Sequence, residues 1–217
     1  STGATSWSTG ESRSRTTRLS SEKRRPGMVQ SRRRYRPSNS IGRRSAHHRV
    51  PARQEFDIAH SNRVPAHHPT MGHAFGYFYR RIMSENIVPT IPIMVNTYYL
   101  PNQPTLNRCY ELRRQLRAAV EAMPGDVRIE VIASGGLSHF VIDEEIDGIT
   151  MKALREGDRE ALISMPRERL NSGTSEIRNW IAMAGATEHL DHQWSDYVPS
   201  YRSPAGTGCA MGFGIWS

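Results

Sequence analysis

Three side chains suited to proton transfer or metal binding sit in distinctive settings: His139 in SGGLSH, Glu176 in LNSGTSEIRNWIAMAGA, and His73 in HHPTMGHAFGYFYRR. His139 follows an apolar run and two glycines. Gly135 and Gly136 permit a tight turn after a strand, which would leave Ser138 and His139 at the rim of a crevice. An imidazole titrates near neutral pH, so His139 could act as a general base, and the plainer alternative is a histidine bonded to its own loop. Glu176 falls in the first turn of an expected helix, where the macrodipole favours a carboxylate and a capping contact is the simplest reading. A carboxylate fixed beside a glycine loop could also hold a metal. His67, His68 and His73 lie close together, but their spacing matches no firm metal-site pattern. Tyr77, Phe78 and Tyr79 read as core or pocket walls.

The elements that must position these residues follow from periodicity. TIPIMVN (90–96) reads as a buried strand with Pro92 near its start or at an edge. Thr105 can cap a helix whose apolar positions Cys109, Leu112, Leu116, Ala119, Val120 and Met123 recur at three and four, ending at Pro124-Gly125. VRIEVIA (127–133) puts Val127, Ile129 and Val131 on one face of a second strand. Strand, helix and strand in that order predict a right-handed βαβ unit with parallel strands. Helices are expected near 146–156, at 158–165 with Asp158 as cap, and at 174–184. The last buries Ile177, Trp180, Ile181 and Ala184 and ends at Gly185. The last 20 residues read as loop with a closing strand. The fold class expected is α/β, three layers, with a mostly parallel sheet flanked by helices.

Charge divides the chain. Residues 1–55 carry 14 Lys+Arg against 3 Asp+Glu, a net of +11, and residues 56–217 carry the remaining 15 against 18, a net of −3. The first 55 residues, rich in Ser and Arg, lack any apolar period, so burial cannot offset their ordering entropy. They are expected to form a disordered basic arm, leaving 56–217 as the domain. Such an arm could bind nucleic-acid phosphates, although a solvated tail is the simpler reading. The sequence has no long apolar run and no hydrophobic leader, and its two cysteines, Cys109 and Cys209, have no CxxC spacing. A cytoplasmic protein without a membrane span is expected.

GHAFG, NTYYLPNQPTLNRCYELRRQLR, VIASGGLSHF, LNSGTSEIRNWIAMAGA and DYVPSYRSPAGTGCAMGF, in this order, closely resemble the class III extradiol ring-cleavage dioxygenases. That is the family of the catalytic subunit of protocatechuate 4,5-dioxygenase and of the gallate and methylgallate dioxygenases. The resemblance runs from about Phe56 to Trp216. It implies an oxidoreductase of aromatic compound catabolism. Such an enzyme uses non-haem Fe(II), held by two histidines and one glutamate, to open a catechol ring with both atoms of O2. It makes His139 the residue that takes the substrate hydroxyl proton and later assists O–O cleavage. Glu176 becomes the carboxylate iron ligand, and His73 a group near substrate and oxygen. A triad of this kind leaves one face of the iron open to catecholate and O2. Ser138, Tyr201 and Arg202 are candidates for contacts to a protocatechuate-like or gallate-like substrate. A homo-oligomer or a small partner subunit would fit the family.

One departure stands out. The family takes its two histidine ligands from stretches N-terminal to these motifs, and upstream of Phe56 this chain has only the Arg/Ser-rich arm. The ligand role is therefore not transferred to His47 or His48. The expectation is an N-terminally truncated or altered member, its arm a shifted reading frame or a fusion, with one ligand of three. A truncated sheet should expose an unpaired edge and apolar surface. Two of His47, His48, His60, His67 and His68 could substitute for the missing ligands. An alternative from a different class is a non-catalytic relative that serves as an interaction module and uses the arm on nucleic acid.

Overall fold

The computed structural model describes Phe56, Ile58, Ala59, Ser61 and residues 72–217, so the arm read at 1–55 and the histidines His60, His67 and His68 lie outside the described residues. A short helix α1 (His73–Tyr77) continues into one π-helical turn (Phe78–Ile82), and α2 (Leu106–Glu111) and α3 (Arg113–Glu121) follow. Strand β1 (His139–Val141) leads to α4 (Glu144–Glu156), α5 (Arg159–Ile163) and two 3-10 turns (Arg167–Arg169 and Ser172–Glu176). The chain closes with α6 (Ile177–Ala186), β2 (His192–Tyr201) and β3 (Thr207–Trp216).

Local signals placed the helix boundaries. The Thr105 side chain accepts from the Arg108 N–H at 3.1 Å and so caps α2. Asp143 accepts from Ile146 N–H to start α4, which ends at Gly157 with φ +65°. Asp158 caps α5 by accepting from Ala161 N–H at 2.9 Å. The core is built on Leu106, Leu137, Ile146, Leu162, Ile177 and Ile181, each at most 1% exposed. Arg178 is buried among them, its guanidinium donating to the carbonyls of Leu170 at 2.7 Å and Pro104 at 3.2 Å. Burial lowers its pKa.

The mixed helix-and-strand composition expected of an α/β protein is present, but the sheet is not the expected one. Among the described residues it has three strands in the order β1-β3-β2, and both pairings are antiparallel. Segments 90–96 and 127–133 have no ladder partner, so the expected parallel βαβ unit is absent there. A strand is made by pairing as well as by pattern. Without a neighbour their apolar side chains stand in the open: Ile91 is 73% and Met94 82% exposed, and Val127 55%. The three-layer arrangement is likewise not met. Helix α4 covers one face, tied to the sheet by Trp216 Nε1 donating to the Leu154 carbonyl at 3.3 Å. Trp194, Val198, Phe213 and Ile215 are exposed on the strands β2 and β3.

Two further readings change. Apolar positions of the first expected helix face the core as far as Leu116, which packs against it partly buried, and Val120 and Met123 are exposed. The glycine-rich C-terminus, read as loop with a closing strand, holds that strand as β3 and joins β2 in a long hairpin, in which Gly208 lets β3 approach closely, since a Cβ there would lie 2.3 Å from the Ser200 carbonyl oxygen.

Gly185 does not end α6 but lies inside it, where a Cβ would sit 2.3 Å from the Tyr110 carbonyl oxygen. Its role is close approach of α6 to α2. Gly185→Ala should therefore destabilise by about 1–3 kcal/mol. Gly148→Ala, on the exposed side of α4 with nothing within 4 Å, should be neutral or stabilise by up to about 1 kcal/mol. Urea unfolding midpoints of the two variants check the contrast.

Candidate active site at the Gly135–Gly136 turn

The site begins with one face of α6 reading the turn that precedes β1. Glu176 Oε2 accepts from the Gly136 N–H at 2.9 Å, Asn179 Nδ2 donates to the Ser134 carbonyl at 2.9 Å, and Trp180 Nε1 donates to the Gly135 carbonyl at 3.1 Å. Positions 176, 179 and 180 are spaced by three and four, so a single helix edge supplies all three contacts. Gly135 has φ +153°, and a Cβ there would lie 2.9 Å from Glu176 Oε2. The glycine both makes the turn and admits the carboxylate.

His139 is held at its backbone and at one ring nitrogen. Its N–H donates to Thr174 Oγ1 at 3.0 Å, and that hydroxyl donates back to the His139 carbonyl at 2.9 Å. Nδ1 lies 2.9 Å from the Leu137 carbonyl oxygen. A carbonyl only accepts, so Nδ1 carries the proton of the neutral ring and Nε2 keeps its lone pair. Nε2 stands 3.9 Å from Glu176 Oε2. Gly173 underlies the ring, since a Cβ there would meet Cδ2 at 2.3 Å.

Behind this pair lies a buried polar network. Ser138 is wholly buried. Its N–H donates to Asp147 Oδ1 at 2.8 Å and its hydroxyl to Oδ2 at 2.6 Å, while Tyr197 OH donates to the same Oδ2 at 2.9 Å. Burial pushes the Asp147 carboxyl up against the pull of these hydrogen bonds, and burial together with Asp147 pushes the Tyr197 phenol up. The Asp143 N–H donates to Ser138 Oγ at 2.8 Å, and Arg169 grips the Asp143 carboxylate at 2.5–3.0 Å, holding its carboxyl below the usual range.

The sequence candidates separate accordingly. His139 and Glu176 come together. Ser138, expected at the rim, points inward and is engaged by Asp147. His73 is exposed at the start of α1, which Ser134 Oγ ties to the turn by donating to the Ala74 carbonyl at 3.0 Å. Tyr201 donates its hydroxyl to Glu144, a contact that raises its pKa, and with Arg202, Ser203, Pro204 and Gly206 it lines an open hollow to which neither His139 nor Glu176 contributes. Sequence reasoning passed over Thr174, Asn179, Trp180 and Asp147. The spacing of Asn179 and Trp180 from Glu176 was a usable signal. Asp147 gave none beyond an acid in the first turn of a helix.

Residues 79–212 match the family model described as the catalytic LigB subunit of aromatic ring-opening dioxygenase. The chain belongs to this family. It is 32% identical over 128 residues to the gallate dioxygenase of Pseudomonas putida, a match covering 52% of this chain and 36% of that protein. The chain thus spans about a third of the length of the curated relative it matches. No solved structure matches. The family match takes in Ser138, His139, Glu176, Tyr201 and Arg202, and it begins after His73.

Enzymes of this family generally depend on a non-haem metal. Among the described residues no three His, Cys, Asp or Glu side chains converge on one point. Glu176 has only His139 beside it, so these residues by themselves do not fit a three-ligand site. No helix among the described residues is long and apolar enough to cross a membrane.

The Asp143–Arg169 pair makes a pH prediction. A carboxyl held low in the folded chain contributes stability that is present above its unfolded value of about 3.9 and is lost as pH falls through its folded value. The urea midpoint should therefore drop on acidification below about pH 4, and Arg169→Leu should flatten that part of the profile.

Proposed function

We propose that this chain carries the acid–base part of an extradiol dioxygenase site that opens catechol-type rings, protocatechuate-like or gallate-like, with O2 as co-substrate. One observation carries the reading: the His139 ring is fixed through Nδ1, which leaves the Nε2 lone pair free beside the Glu176 carboxylate. In that position Nε2 takes the proton of a substrate hydroxyl, breaking O–H and forming N–H, and the carboxylate 3.9 Å away stabilises the imidazolium so formed. The proton can later return to the product from the same nitrogen. Family membership and the likeness to a gallate dioxygenase support the aromatic substrate class.

Fe(II) is the metal this reading implies, and bound iron would supply Lewis-acid activation of the catechol and a site for O2. Glu176 is the one described residue proposed as its ligand. The reading requires the other donors from outside the described residues, where His47, His48, His60, His67 and His68 lie, or from a further chain. His73, Tyr201 and Arg202 remain proposals for contacts at the edge of the substrate.

Anaerobic Fe(II) titration of the chain beside Glu176→Ala, followed by oxygen uptake with protocatechuate and gallate, tests the reading. Near-stoichiometric binding that the substitution abolishes is expected. Catechol-dependent uptake should then fall at least about a hundredfold in His139→Ala. Iron binding in neither protein would favour the non-catalytic alternative. Uptake indifferent to His139 would remove the base from its role.

A further inference from the structure

Asp147 is wholly buried, and no cation pairs with it among the described residues. A buried carboxylate without a counter-ion is costly unless several hydrogen bonds converge on it. Three do here, from Ser138 N–H, Ser138 Oγ and Tyr197 OH. An ionised carboxylate accepts from all three at once, with no proton of its own to place.

The placement of the first of these bonds is what matters. Ser138 N–H and the Leu137 carbonyl belong to the same planar peptide group and point to opposite sides of it. Asp147 Oδ1 holds the N–H end at 2.8 Å, and His139 Nδ1 bonds the carbonyl end at 2.9 Å. The result is a continuous chain: carboxylate, peptide N–H, peptide C=O, imidazole N–H. Each bond polarises the next, and one orientation of the peptide plane fixes one orientation of the ring. Leu137 N–H donates to the Ala210 carbonyl, and Ala210 N–H donates to the Ser138 carbonyl, both at 2.9 Å, so β3 anchors the segment on either side of this peptide.

We propose that Asp147 is a positioning residue for His139. Acting through the Leu137–Ser138 peptide, it holds the imidazole in the Nδ1–H form with Nε2 turned toward Glu176. It does the work of the aspartate in a Ser-His-Asp triad at one peptide's remove. The inference rests on the reading of His139 as the base.

The test is the tautomer of His139, read by long-range 1H–15N correlation in the uniformly labelled chain. Native protein should show the Nδ1–H pattern. Asp147→Ala, which leaves the Ser138 N–H no side-chain acceptor, should lose it toward a mixture of tautomers while near-UV circular dichroism stays native. Tyr197→Phe and Ser138→Ala each remove a hydrogen bond from the same network but leave the Asp147 bond to Ser138 N–H. They should lower stability and keep the Nδ1–H pattern. If Asp147→Ala does not fold, Asp147→Ser is read in the same way.

A native ring protonated on Nε2 overturns the proposal. So does an Nδ1–H pattern unchanged in a folded Asp147 variant, or one lost equally in Tyr197→Phe. The readout needs no turnover, so a chain that consumes no oxygen would sink the dioxygenase reading and leave this one standing. Where uptake is measurable, kcat should fall by roughly a hundredfold in Asp147→Ala with KM unchanged.

Discussion

A glycine turn has no side chains with which to fix itself, so the Gly135–Gly136 corner depends on what reaches it from elsewhere. Glu176, Asn179 and Trp180 reach it from a single edge of α6, engaging one amide and two carbonyls. Everything else at the site follows from that contact. It sets the height of β1 against α6 and brings the His139 ring over Gly173. It also leaves Glu176 half-occupied, with one oxygen committed to the backbone beside the histidine. Without the turn's carbonyls in register with α6, the His139 ring and the Glu176 carboxylate would have no reason to meet.

The same economy governs α4. Its first turn is rich in acids, as the macrodipole favours, yet the three that matter have separate tasks. Asp143 caps the helix and binds Arg169, Glu144 receives the Tyr201 hydroxyl, and Asp147 turns into the core toward Ser138. Residues 143 and 147, one turn apart, share the face that meets Ser138, Asp143 through its N–H and Asp147 through its carboxylate, while 144 lies on another face. The helix that begins five residues after His139 thereby braces the peptide on which that histidine hangs.

The exposed apolar residues along 87–100 and 127–132 have a physical reading that bears on the whole chain. Their sequences are those of interior strands, dense in Ile, Val and Met, and in the described structure nothing pairs with them. Pairing is a property of two segments, so a pattern of this kind specifies half an interaction. Most core residues come from α2, α4, α5, α6 and β3, with Leu112, Leu137, Ile142, Met165 and Leu170 from the connections, and of the 87–100 segment Val95 packs against this core.

By itself the sequence determined what depends on near neighbours. Thr105, Asp143 and Asp158 cap helices because a short polar side chain can reach an amide three residues on, and Gly157 ends α4 because it tolerates positive φ. Quoted motifs were enough to reach the dioxygenase family and to single out His139 and Glu176. Tertiary structure alone decided which way Ser138 faces, that Asp147 lies beneath it, and that Gly185 and Gly208 are points of close approach. It also decided that the strand-like segments go unpaired while a glycine-rich tail becomes the main hairpin. Some of these outcomes turn on partners distant in the chain, as when Gly185 meets the Tyr110 carbonyl, and others on nearer ones, as when Ser138 meets Asp147 and Gly208 meets Ser200, but in every case the contact is made by folding and not by a local pattern.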